Sequence, residues 1–153
     1  MKNEDKILLI GIGNSGRSDD ALGWLFLDRL SEDDGTSFDM EYRYQLQIED
    51  AELIGRYAKV FFVDATMEYT RNGYLLKPCR VNGNHTFTTH QLTPEAVLYL
   101  CKTLYGETPD AYIFGIQGYI WDLKIGLSEK AESNIAKAIA YFTHIITDIK
   151  VDY

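Results

Sequence analysis

The chain has 153 residues, enough for one domain with a real core. Fifteen basic residues against 23 acidic ones give a net charge of −8, which argues against a nucleic-acid partner and favours a cation or a basic partner. No apolar run approaches the ~18 residues of a membrane span and no signal-peptide core is present, so a cytoplasmic protein without direct membrane association is expected.

The first element is the stretch 6–12, apolar from Ile7 onward and read as a buried strand because glycine bounds it. It feeds Gly11-Ile-Gly13-Asn14-Ser-Gly16-Arg-Ser-Asp19-Asp20-Ala-Leu-Gly23. A helix is expected over 19–31, with Ser18 as N-cap and both aspartates in the first turn. Gly11-x-Gly13-x-x-Gly16 matches the dinucleotide-binding spacing, yet two adjacent carboxylates at a helix start repel a pyrophosphate and attract a cation. Capping accounts for one of the two acids. The second needs another reason, and carboxylate oxygens suit hard or borderline metals.

Residues 38–48 alternate: Phe38, Met40, Tyr42, Tyr44, Leu46 and Ile48 fall on one face, so one long strand is expected. A short helix over 49–57 and a second buried strand over 59–64 follow. That strand closes on Asp64, read either as a rim carboxylate with a functional role or as an Asx-turn or cap. Residues 74–81 read as a strand and 82–92 as a polar loop holding His85 and His90. Thr93-Pro94-Glu95 opens a helix that ends at Gly106. Residues 111–117 form the last buried strand. Ser128 caps a final helix with an apolar stripe through Ile135, Ile139 and Phe142.

Strands alternating with helices imply an α/β three-layer sandwich, its largely parallel, twisted sheet flanked by helices. Ligand sites in such sheets lie beyond the carboxyl ends of the strands. Asp19, Asp20 and Asp64 share one crevice if the strands before them are neighbours. Cys79 and Cys101 lack metal or redox spacing and read as buried thiols. His85, His144, Glu95 and Asp122 have bland explanations, and no nucleophile motif is visible.

In order and spacing these pieces resemble the hydrogenase maturation endopeptidase family, whose members trim the C-terminal tail of the nickel–iron hydrogenase large subunit after nickel insertion. The likeness rests on Gly11, Gly13, Asn14, Asp19, Asp20 and Gly23, then on Val63-Asp64-Ala65, Thr89-His90-Gln91-Leu92, the strand 113–117, and Gly126-Leu127-Ser128. It implies a single domain over 1–153 and an aspartic-type, metal-dependent endopeptidase. It also implies a hydrogenase large-subunit precursor as partner; separately, a monomer is expected. Carried over residue by residue, the metal-binding and catalytic set is Asp20, Asp64 and His90. Gly11, Gly13, Asn14 and Asp19 shape the loop and the substrate side. The resemblance implies that the metal is nickel supplied by the substrate, with cadmium or zinc as surrogates.

The sequence departs from the family at Gly16, at Gln45–Asp50 in place of a glycine-rich segment, and at Gly118-Tyr119. The middle departure bears on which client is read. Two other functions fit the same residues: a non-catalytic checkpoint or chaperone that binds the precursor, and a nucleotide-binding domain using the glycine loop.

Overall fold

The computed structural model describes residues 3–32, 38–81 and 92–151, with side chains over 6–32, 38–81 and 92–146. Among these residues five strands form one sheet: β1 Asn3–Ile12, β2 Phe38–Arg43, β3 Tyr57–Thr66, β4 Tyr74–Pro78 and β5 Asp110–Gln117. Their order is β2-β1-β3-β5-β4, with β4 antiparallel to β5 and the other pairs parallel. Among the described residues four α-helices cover the faces: α1 Leu22–Ser31, α2 Asp50–Ile54, α3 Pro94–Tyr105 and α4 Glu129–Val151. The α/β sandwich expected from the alternation is therefore the fold.

The period of two along each central strand divides the core. Ile7, Leu9, Phe61, Val63, Phe114 and Ile116 face α1 and α4. Leu8, Ile10, Val60, Phe62 and Ala111, one position out of phase, face α2 and α3. Both faces are covered, which explains why these strands read as unbroken apolar runs. Phe142 of α4 is fully buried, with ring centroids 5.1 Å from Phe61, 5.5 Å from Phe26 and 5.9 Å from Phe114.

Helix α3 follows its sequence signals closely. The Thr93 hydroxyl accepts from Ala96 N–H, Pro94 opens the first turn, and Gly106 ends the helix in the left-handed region at φ 81°. Two expectations need correction. The 38–48 alternation does not make one strand, since β2 stops at Arg43. There the Arg43 carbonyl accepts from Gly13 N–H and from the Trp24 indole, while its guanidinium reaches Asp50 at 3.1 Å. Asp50 in turn accepts from Gln47 N–H at 2.8 Å, so the chain bends into α2. Leu46 then joins the α2–α3 side of the core, whereas Phe38 and Met40 pack on the α1–α4 side.

The second correction is at the start of α1. A 3₁₀ turn over Ser18–Ala21 precedes it, and Ser18 makes no side-chain cap. The polar loop 82–91, with His85 and His90, lies outside the described residues.

Candidate active site at the carboxyl ends of β1 and β3

Strands β1 and β3 are direct neighbours, with Gly11 paired to Val63. Asp64 is the next residue of β3, and Asp20 lies in the turn that leaves β1, so the topology brings the two acids to the same, carboxyl-terminal end of the sheet. Close backbone approach brings them nearer still. A Cβ on Gly23 would lie 2.5 Å from both the Ile12 and Val63 carbonyl oxygens, and one on Gly13 would lie 2.2 Å from the Asp20 carbonyl oxygen. Only glycine lets the start of α1 rest on the tips of both strands.

The turn spends its own N–H groups. Gly13 N–H donates to the Arg43 carbonyl and Asn14 N–H to the Asp20 carbonyl. Gly16 N–H donates to Asn14 Oδ1, and Arg17 N–H to the Asn14 carbonyl. A phosphate cradle needs those donors free. The glycine spacing here serves an internally bonded turn that ends in acids, which argues against the nucleotide reading.

The adjacent aspartates have opposite environments. Asp19 is fully buried. Its carboxylate accepts from Tyr119 N–H at 2.7 Å, Ile120 N–H at 3.0 Å, Ser128 N–H at 2.8 Å and the Ser128 hydroxyl at 2.7 Å. Burial pushes its pKa up, but these hydrogen bonds to the charged form outweigh that and hold it below the ordinary aspartate value. Asp19 thus binds the segment between β5 and α4, and its carboxylate oxygens are taken up by protein donors. Ser18 assists from φ 49°, an uncommon left-handed position for a side-chain-bearing residue. Its N–H donates to the Lys124 carbonyl at 2.8 Å and its hydroxyl to the Asp122 carbonyl at 2.9 Å.

Asp20 is half-buried at the cavity, and burial raises its pKa although the Arg17 charge draws it back. Asp64 is pushed up to about 7, first by burial and further by the charge of Asp20, against one hydrogen bond from Ala65 N–H. A carboxyl titrating near neutrality beside a second carboxyl is a typical functional-site signature. Both acids line a cavity of about 410 Å³, walled by Tyr44, Leu46, Met67, Pro94 and Trp121.

Among the described residues no cluster of three His, Cys, Asp or Glu side chains forms. The third expected donor, His90, lies outside them, but Leu92, two residues along the chain, lines the cavity. Sequence reasoning did not single out Trp121 or the grip of Ser128 on Asp19. A tryptophan in a polar segment just after a buried strand was the available signal for the first. The second joins residues 109 apart and left no local pattern.

A five-stranded, mainly parallel sheet with a carboxylate-floored cavity beyond its strand ends places the chain in the three-layer α/β class. Solved hydrogenase maturation proteases share this fold. The hydrogenase maturating endopeptidase HybD from Escherichia coli superposes with TM-score 0.73 at 18% identity, over 94% of this chain and 93% of that one. The [NiFe] hydrogenase maturation protease HycI from Thermococcus kodakarensis gives 0.70 at 25% identity, over 93% and 92%. The hydrogenase 2 maturation peptidase from a Thaumarchaeota archaeon gives 0.68 at 21%, over 93% and 98%. No family model and no curated protein sequence matches. The resemblance carried by the sequence motifs thus extends to the whole three-dimensional fold.

Proposed function

We propose that the protein is an endopeptidase that removes the C-terminal tail from a nickel–iron hydrogenase large-subunit precursor after nickel insertion. The observation that carries this reading is the pair Asp20 and Asp64, which line one cavity, Asp20 from the turn between β1 and α1 and Asp64 from the adjacent strand β3. The fold it shares with hydrogenase maturation proteases supports it.

The residues present fit a borderline divalent cation. Two ionised carboxylates repel each other, and the charge of Asp20 adds to the burial that raises the Asp64 pKa. A cation arriving with the substrate relieves both the repulsion and the desolvation. In this reading Asp20 and Asp64 supply oxygen ligands and His90 a nitrogen to nickel that the precursor already holds. Nickel so placed polarises neighbouring groups as a Lewis acid. Asp64 carries a proton in part of the free molecules near pH 7, so precursor binding and proton release are linked. Asp19 and Ser18 hold the turn before Asp20, and Trp121 and Tyr44 wall the cavity.

The test is to incubate the protein with nickel-loaded and nickel-free large-subunit precursor and to weigh the products by mass spectrometry. Removal of one defined C-terminal segment from the loaded form alone is expected. Binding of the loaded precursor without cleavage would replace the endopeptidase by the checkpoint reading.

A further inference from the structure

Residues 118–128, between β5 and α4, form an unusually well-tethered surface segment. The Asp19 carboxylate holds Tyr119 and Ile120 at one end and Ser128 at the other. In the middle, the carbonyls of Asp122 and Lys124 are bonded inward to Ser18. The side chains between and beyond them stay in water: Leu123 is 80% exposed and Ile125 is 89% exposed. Scattered surface aliphatics are ordinary. Two of them on a pinned loop, next to the candidate active site, are a preorganised contact whose ordering cost is already met by the fold.

The neighbouring connection repeats the feature. Met67 and Tyr69 follow β3 and are 79% and 85% exposed. The two segments are joined at the root, where Gly118 N–H donates to the Thr66 carbonyl at 3.0 Å. Each also contributes to the cavity, through Trp121 and Met67.

We propose that Leu123 and Ile125, flanked by Met67 and Tyr69, dock the folded body of the precursor through an apolar patch beside the root of its tail. This rests on the function proposed above. The cavity is at the scale of a small-ligand pocket and admits only a few residues of tail. Trp121 of this loop and Met67 of the neighbouring connection both wall that cavity, so a client whose chain end enters it lies against the segments that carry these exposed side chains. Four such side chains offer on the order of a few hundred Å² of apolar surface. That is below the ~800 Å² per partner of a standard stable interface, and it suits a transient client rather than a permanent dimer. The loop is hydrogen-bonded to Ser18 and Asp19, just before Asp20, so it is held in place whether or not a client is bound.

The experiment compares wild type, Leu123→Ser/Ile125→Ser, and the conservative Leu123→Met/Ile125→Leu on nickel-loaded precursor. The serine pair should raise KM roughly ten- to hundredfold with kcat unchanged. The conservative pair should restore KM. Cadmium affinity and melting temperature should match wild type in both. An unchanged KM in the serine pair, with wild type active, would overturn the docking proposal alone. A wild type that neither binds nor cuts the precursor would overturn it together with the function beneath it. Concentration-dependent dimerisation of wild type, abolished in the serine pair, would assign the patch to a second copy of this chain instead.

Discussion

Asp19 and Asp20 are adjacent, alike in chemistry, and should respond oppositely to mutation. Asp19→Ala leaves three backbone N–H groups and the Ser128 hydroxyl without their acceptor. An unsatisfied buried group costs ~1–3 kcal/mol, and water reaching part of this segment offsets some of the sum. The expected loss is about 3–4 kcal/mol. In Asp19→Asn one oxygen remains, but its amide faces an N–H donor, and a loss of about 2 kcal/mol is expected. Asp20→Ala removes a half-buried carboxyl whose ionisation the fold resists, so stability should stay within ~1 kcal/mol of wild type.

Urea unfolding at pH 7 reads all three as shifts in midpoint at constant m-value. The pH dependence gives a second check. The Asp19 pKa is depressed in the folded state, so its stabilisation is present above the unfolded value of ~3.9 and is lost as pH falls through the lower folded value. The gap between wild type and Asp19→Asn should therefore close in acid. If Asp19→Ala unfolds with wild-type stability, or Asp20→Ala is the more damaging, the division of roles is wrong.

Three further outcomes follow from the same geometry. With its folded pKa near 7, Asp64 costs the wild type stability as pH rises from about 4 to about 7. Asp64→Asn should gain about 2 kcal/mol at pH 8 and nothing at pH 4, as thermal unfolding across pH would show. Gly13→Ala forces a Cβ against the Asp20 carbonyl and should cost about 2–3 kcal/mol by urea unfolding while weakening cadmium binding. Cys79, pushed up to about 12 mainly by burial, and the fully buried Cys101 should resist alkylation in the native protein and react fully in denaturant.

Much of this molecule was legible in its sequence wherever local chemistry and tertiary structure agree. The buried strands announced themselves because both sheet faces are covered, and α3 because its cap, proline and terminal glycine are all local devices. The run from Phe38 to Ile48 misled because its period of two is real, yet the register ends where β1 ends. The Arg43–Asp50 pair then turns the chain. Nearness of Asp20 to Asp64 followed from strand order. The distinct task of Asp19 did not, because its partners lie about a hundred residues away.

The most direct test is a calorimetric titration of cadmium into wild type, Asp20→Ala, Asp64→Asn and His90→Ala. Two carboxylates and an imidazole around one cation predict a single site in wild type, lost or weakened at least tenfold in each variant. Absence of binding in wild type, or undiminished binding in Asp20→Ala and Asp64→Asn, would contradict a cation held by this pair.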